Sequence, residues 1–406
     1  MNNSQLPKGY KLTEVGMIPE DWDLKRLQDI SPQQSVGLVI NPSTYFNKSG
    51  TVPMLVGSNI GENKIDWSSA KRITEDSNHK LPASRLSAGD LVTVRVGDPG
   101  TTAVIPAEFD GCNCASMMIV RKHPSFDSEW LCFVMNSPFG RSRVAGVQYG
   151  TAQKQFNISD AVDFCYPVPS LPEQRSIATA LSDMDELLGG LDRLIAKKRD
   201  LKQATMQQLL TGKTRLPGFD GEWEVKRLGG VAEIVMGQSP SSTNYNSVGM
   251  GLPLIQGNAD ISNRKTIKRV FTTQITKRGK GGDILMSVRA PVGEVARAMF
   301  DVCLGRGVCA IRYDNNFMYH CLINLEPTWA KHSKGSTFDS VNSTDVNAVE
   351  IYLPTDPAEQ TAIASILSDM DTEIAAIEQR RNKTCDLKQA MMQELLTGRI
   401  RLKIKA

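Results

Sequence analysis

The chain has 406 residues, 40% of them hydrophobic and 22% charged, enough for two or three domains with cores of their own. That balance excludes a disordered tract, a collagen-like repeat and a small disulfide scaffold. Forty-seven Lys and Arg stand against 44 Asp and Glu, a net charge of +3, so a polyanionic partner must be sought in local clusters rather than in the total.

The first residues, Met1-Asn2-Asn3-Ser4-Gln5, lack the basic-then-apolar order of a secretory leader. Residues 1–171 are punctuated by Gly, Pro, Asn and Asp around short β-branched runs such as Leu91-Val92-Thr93-Val94, which predicts a globular α+β domain. Residues 172–212 then read as one long helix. Ile177, Leu181, Met184, Leu188 and Leu191 follow a 4-3-4-3 spacing, a heptad seam suited to pairing with a second helix. Pro172 stands at its start and Gly212 at its end, both ordinary helix punctuation. A second α+β domain is predicted over residues 213–357, with runs such as Ile284-Leu285-Met286-Ser287-Val288. Its longest uncharged stretch, 234–259, is too broken by Gly, Pro, Ser and Asn to cross a bilayer. Residues 358–406 hold a second long helix and a tail, with Ile363, Leu367, Met370, Ile374 and Ile377 in the same spacing. The eight Cys have no framework spacing, as in a reducing compartment, so the chain reads as soluble and cytoplasmic.

The two helices are copies of each other. Residues 173–216 and 359–402 align without a gap at an offset of 186, with 23 of 44 positions identical, including LSDMD, DLKQA and LLTG. In both, the apolar pattern shifts near Lys198 and Thr384 and resumes at Leu201, Met206 and Leu209 or Leu387, Met391 and Leu395. The preceding domains correspond more weakly. Trp22-(x2)-Lys25-Arg26-Leu27 matches Trp223-(x2)-Lys226-Arg227-Leu228, and Gly89-Asp90-Leu91 resembles Gly282-Asp283-Ile284, with Arg95 and Arg289 following. Gly150-Thr151 with Asn157-(x2)-Asp160 resembles Gly335-Ser336 with Asn342-(x2)-Asp345. The predicted fold is therefore an internal pseudo-twofold repeat. Two globular domains are separated by long coiled-coil helices, which must run antiparallel for the second to bury its seam on the first.

Positive charge concentrates in the second domain. Residues 264–312 carry eleven Lys or Arg against Asp283, Glu294 and Asp301. In the first domain, residues 64–122 are nearly balanced, and Arg141, Arg143 and Lys154 follow in a stretch without acids. A charge run is usually a solvated face. Here it lies in a duplicated body beside base-reading types (Gln256, Asn258, Asn263, Gln274), which points to DNA. The candidate DNA contacts are Arg95, Arg141, Arg143, Lys154, Arg264, Lys265, Lys268, Arg269, Lys277, Arg278 and Arg289.

Catalytic and metal readings fail. Thr211-Gly212-Lys213-Thr214 resembles the end of a phosphate-binding loop, but Gln207 stands where its first Gly is required, and the other copy reads Thr397-Gly398-Arg399-Ile400. Cys112 and Cys114 with His123, Cys303 with Cys309, and His320 with Cys321 lack a second ligand pair. Asp220…Glu224-Val225-Lys226 faintly resembles a nuclease cluster, and its counterpart Asp21…Asp23-Leu24-Lys25 sits in an equally plain strand lead-in. The four His suggest no triad, and no Gly-rich loop suggests a nucleotide site.

The order globule, helix, globule, helix, the openings Pro172-Glu173-Gln174 and Pro357-Ala358-Glu359-Gln360, and the LSDMD…DLKQA…LLTG helices together resemble the specificity subunit of a type I restriction–modification enzyme. Ser336 for Thr is the one departure. The resemblance covers nearly the whole chain. It implies two target recognition domains, each reading half of a split asymmetric sequence in double-stranded DNA, with helices that fix the gap and dock two modification subunits. It also implies restriction subunits as further partners and no membrane. Catalysis, S-adenosylmethionine, ATP and Mg would belong to those partners, and this chain would hold no cofactor. The competing readings are a self-contained nuclease or methyltransferase and a two-headed protein-binding adaptor.

Overall fold

The structure is a computed structural model and describes residues 7–151, 153–332 and 340–402, without the side chains of 330–332. The Gly335-Ser336 pair lies outside the described residues. The chain divides into two units, one comprising residues 1–190 and 380–406, the other residues 191–379. Both long helices pass from one unit into the other. Each unit is thus one globular domain with half of each helix.

The two helices span Leu171–Leu209 and Pro357–Leu395, 39 residues each, or about 58 Å at 1.5 Å per residue. A proline in the first turn costs no hydrogen bond, because that N–H has no partner inside the helix. Each helix is closed by a glycine in the left-handed region, Gly212 (φ +67°) and Gly398 (φ +71°), where a Cβ would be strained. The repeated pair Thr-Gly is therefore a stop signal.

In the first unit the main sheet is antiparallel, in the order Thr102–Val104, Leu91–Val94, Met117–Val120, Gln34–Val36. A three-stranded sheet of Asn113–Cys114, Val52–Leu55 and Lys71–Ile73 lies beside it in sequence, and Asp23–Arg26 pairs with Cys165–Val168. Trp22, Trp130, Phe133, Phe156 and Tyr166 fill the core, and Ile177, Leu181, Met392 and Leu395 from the two helices belong to it with Leu396 just beyond. The second unit repeats this plan. Val295–Arg297, Ile284–Ser287, Val308–Arg312 and Glu233–Met236 have the same order and sense, extended by two short strands. Trp223–Arg227 pairs with Glu350–Pro354. Its core takes Met206 and Leu209 from the first helix, Leu210 just beyond it, and Ile363, Ala364 and Leu367 from the second.

In each unit the start of one helix shares a core with the end of the other, which makes the pairing antiparallel. Ile177, Leu181, Leu191, Ile363, Leu367 and Ile374 are buried, while Met184, Leu188, Met370 and Ile377 are partly so. The pattern shifts by a second four-residue step in succession: after buried Ile195 the seam passes through partly buried Lys198 and Lys202 to buried Met206 and Leu209. The resumed stripe therefore excludes Leu201 and Leu387, which are 52% and 55% exposed. Lysine stems fill the seam and carry their ammonium groups to acids on the facing helix. Lys202 pairs with Asp371 and Lys388 with Asp185. Those are the same two positions at an offset of 186.

Candidate nucleic-acid interface

Three acid–base pairs fix the frame of each domain, and each occurs twice. The Glu of the helix opening is the first. Glu359 accepts two hydrogen bonds from Arg215, at 2.7 and 2.8 Å. Glu173 does the same for Arg401, which also reaches Asp21 at 2.9 Å twice. Hydrogen bonds to Asp21 and Glu173 push the Arg401 guanidinium above its ordinary range, and the bond from Arg401 holds the Asp21 carboxyl below its own. The two copies differ in one detail. Trp22 donates its indole N–H to Glu173 at 3.0 Å, whereas the Trp223 nitrogen has no partner among the described residues. The Gln that follows each Glu ties the helix to its domain. Gln174 bonds the Asp127 N–H and Pro169 carbonyl, and Gln360 bonds Tyr313, Asn315 and the Pro354 carbonyl.

The seam lysines form the second pair, and the Gly-Asp turns form the third. Asp90 accepts from the Ser87 and Lys122 N–H groups and from Arg121, at 2.7 Å. Asp283 accepts from the Lys280 N–H and from Arg312, at 3.2 Å. In both domains the turn is locked to the end of the neighbouring strand.

On this frame, loops gather at one end of each domain. In the second, strands ending at Met236, Ile255 and Ser287 and the strand starting at Val308 all open toward the same end, as Ser287↔Val308, Met236↔Cys309 and Ile255↔Leu304 require. Their loops interlock. The Gln238 N–H bonds the Leu304 carbonyl, the Arg306 N–H bonds Ser239 Oγ, Val288 N–H bonds the Gly307 carbonyl, and Gln274 Oε1 accepts from Ser241 N–H and Asn244. Glycine is needed at Gly307 and Gly237, where a Cβ would lie 2.0 Å from the carbonyls of Gln256 and Gly305. This end carries exposed Lys277, Arg289 and Arg306.

The first domain builds the same end from Gly37–Asn41, Val56–Asn59, Arg95–Gly97 and Ala115–Ser116. The Gly37 N–H bonds the Met117 carbonyl, Leu38 N–H that of Cys114, Ala115 N–H that of Leu55, and Gly97 N–H that of Lys154.

A family model described as "Type I restriction modification DNA specificity domain" matches residues 220–384. The putative type I restriction enzyme MjaX specificity subunit of Methanocaldococcus jannaschii is 29% identical over 98% of this chain and 97% of its own. The MjaIX specificity subunit of the same organism is 20% identical over 97% and 96%. A chain from a structure concerned with complex assembly and conformational transition of the type I R-M system covers 94% of this chain and 99% of itself, at 27% identity and a TM-score of 0.61. The type I S subunit from M. genitalium, at 15% identity, shares the fold with a TM-score of 0.62 over 95% and 97%. Along nearly its whole length the chain is similar to type I specificity subunits, and the family model that matches its second half describes a DNA specificity domain rather than a catalytic one.

The cations chosen from the sequence divide into two groups. Arg264 forks onto Glu326 and the Val295 carbonyl, Arg269 bonds Asp260 and the Ala259 carbonyl, and Arg278 pairs with Asp301 at 2.6 Å. Arg141 is held by Asp98 and Thr101, half-buried Arg95 points its Nε at the Phe156 carbonyl, and Arg143 and Lys268 lie over Phe139 and Phe300. Most of these guanidinium groups hold loops in place. Lys154, Lys265, Lys277 and Arg289 are exposed, with no carboxylate bound among the described residues. Sequence reasoning passed over Arg306, which is exposed at the same loop end as Lys277 and Arg289. Arg95 and Arg289, the arginines that follow the two Gly-Asp turns, do not occupy equivalent positions. Val96 bridges Gln155 as Arg289 bridges Ser340, and the Phe156 and Val341 N–H groups bond the carbonyls of Arg95 and Val288. Arg289 thus corresponds to Val96, and a one-residue slip along extended backbone turns the side chain to the other face.

The polar residues named with them serve largely as loop struts. Asn258 binds Glu294, and Asn263 and Arg264 take positive φ in a tight turn. Gln256 lies beside Gly305 and Gly307. Burial pushes the thiols of Cys112 and Cys309 up to about 12 and raises Cys114, Cys132 and Cys321 as well, which suits packed side chains. Among the described residues no group of three His, Cys, Asp or Glu could hold a metal, and no helix is long and apolar enough to cross a membrane.

Proposed function

We propose that each globular domain, 1–171 and 213–357, reads one half of a bipartite asymmetric DNA target through its loop end. The helices, 172–212 and 358–406, fix the gap and dock two modification subunits. Those subunits bring S-adenosylmethionine, and restriction subunits bring ATP and Mg, in the cytoplasm. One observation carries this reading: the same three ion pairs build the same frame twice, while the loops that the frames present differ. A duplicated frame with divergent loops suits two different half-sites. Exposed Lys154, Lys265, Lys277, Arg289 and Arg306 would neutralise phosphates, and loop side chains would read base edges.

The test is mapping of modified adenines in cells expressing this chain with its modification subunits. Seven residues, one full heptad, are inserted into each helix where the repeats align. That adds about 10 Å, or about three base pairs, and keeps the seam in register. The expected result is a gap about three base pairs longer between unchanged half-sites. Altered half-sites with the old gap would overturn the ruler.

A further inference from the structure

The two loop ends can be compared residue by residue, because each begins at a glycine pressed against a neighbouring backbone. Gly37 follows the strand Gln34–Val36 and would place a Cβ 2.8 Å from the Cys114 carbonyl, and Gly237 follows Glu233–Met236 in the same way beside Gly305. From there both chains run eight residues to a tyrosine, Tyr45 and Tyr245, each through a 3₁₀ turn, Pro42–Thr44 or Ser242–Asn244. The contents differ in character. The second loop reads Gln238-Ser239-Pro240-Ser241, and the first reads Leu38-Val39-Ile40-Asn41.

Val39 and Ile40 are 67% and 59% exposed. Two adjacent β-branched residues held that far into water bury almost nothing, so they contribute little to the fold. They are nonetheless rigidly presented. Leu38 is bonded through both its N–H and its carbonyl, to Cys114 and Ser116, and Asn41 caps the following turn by accepting from the Ser43 N–H at 3.0 Å. β-Branching leaves each side chain little rotamer freedom to lose. The loop belongs to the end that also carries exposed Lys154, linked through Cys114–Ala115, Leu55–Gly57 and Val96–Gly97, so the apolar pair shares its end with a cation able to meet phosphate.

We propose that Val39 and Ile40 are a base-reading element of the first domain that packs on the 5-methyl group of a thymine in the major groove. Thymine is the one base whose major-groove edge offers an apolar group, and apolar side chains are its natural contact. The second domain places Gln238, Ser239 and Ser241 at the equivalent position, where hydrogen bonding to base edges is the available chemistry. The proposal rests on the loop ends being the DNA-facing surfaces.

The test uses the full chain assembled with its modification subunits and duplexes carrying the mapped target. Thymines are replaced one at a time by deoxyuridine, which removes the methyl group and changes nothing in the protein. One replacement, in one half-site, is expected to weaken binding about fourfold, the factor for losing one buried carbon from an apolar contact. In the double variant Val39→Ala, Ile40→Ala the thymine and deoxyuridine duplexes are expected to bind alike. Neutral deoxyuridine at every position, or a double variant that keeps the thymine preference, would overturn the proposal. So would a variant that fails only in assembling with the modification subunits. Loss of DNA binding in Lys154→Glu in the same assay would leave the DNA-facing reading standing when the thymine contact fails.

Discussion

Replacing Glu173 by Ala removes the carboxylate at which the first helix, the C-terminal tail and the first domain meet. Its side chain is 2% exposed and accepts from Trp22 and twice from Arg401. Losing the acceptor strands the buried Trp22 indole N–H, a cost of about 1–3 kcal/mol. The charged bonds from Arg401 are discounted, because that side chain is 37% exposed and keeps Asp21. The sum is about 3 kcal/mol, the lower end for breaking a buried pair. For a unit of this size that lowers the midpoint of its transition by about 6–12 °C. Amide hydrogen exchange locates the effect. Protection should fall by about a hundredfold in Asp23–Arg26 and Cys165–Val168, and should be unchanged in Trp223–Arg227 and Glu350–Pro354. Glu359→Ala should reverse that pattern, and truncation after Thr397 should reproduce Glu173→Ala. A loss below about 1 kcal/mol, or equal loss of protection in both units, would refute the reasoning.

Charge reversal at the exposed cations should separate contact from framework. Lys277→Glu or Arg306→Glu should weaken binding to every duplex sequence and shallow its logarithmic salt dependence by about one counterion each, at unchanged thermal stability. Arg264→Glu should instead lower stability, since it turns the fork on Glu326 into a repulsion; equal binding losses with no loss of stability would contradict that role. His320 supplies a pH test. Burial first, then Lys202, lowers its imidazolium pKa to about 4 from 6.5, and Nε2 contacts Ser368 Oγ at 3.1 Å. The unfolded chain therefore binds the proton more readily, so stability is lost as pH falls from about 6.5 toward about 4. Urea denaturation of His320→Gln at pH 7 and pH 5 should show a smaller difference between the two than the unaltered chain shows; an unchanged difference would assign the acid sensitivity elsewhere.

Much of this was legible because a duplicated sequence tests itself. A Glu-Gln pair, an Asp-Met-Asp run or a Thr-Gly stop seen once is a weak hint; seen twice at a constant offset, each marks a position in a repeated frame. The helices announced themselves through the 4-3 spacing, and their ends through Pro and Gly, since both signals are local. The same logic misled where spacing met side-chain length. Leu201 and Leu387 looked like the resumed stripe because they are apolar, yet the seam passes through Lys202 and Lys388, whose stems pack while their charges pair across the helices.

The candidate DNA contacts were the least legible part. A cluster of eleven cations in 49 residues says nothing about which of them meet a carboxylate from elsewhere in the chain. Glu326 lies 62 residues from Arg264, and Asp301 lies 23 from Arg278. Arg95 and Arg289 stand five and six residues after Asp90 and Asp283, and along an extended segment that one-residue difference turns the side chain to the other face.

Sequence alone determined the repeat and the α+β and helical segments, and its motifs carried the resemblance to type I specificity subunits. The elements follow from periodicity and local backbone preference, which are properties of neighbouring residues. Only the tertiary structure decided that the frame is held by three acid–base pairs made twice, which arginines are struts and which cations stand exposed without a carboxylate among the described residues. Such pairings join residues up to 380 positions apart, and the energy that selects them exists only once burial has removed competing water.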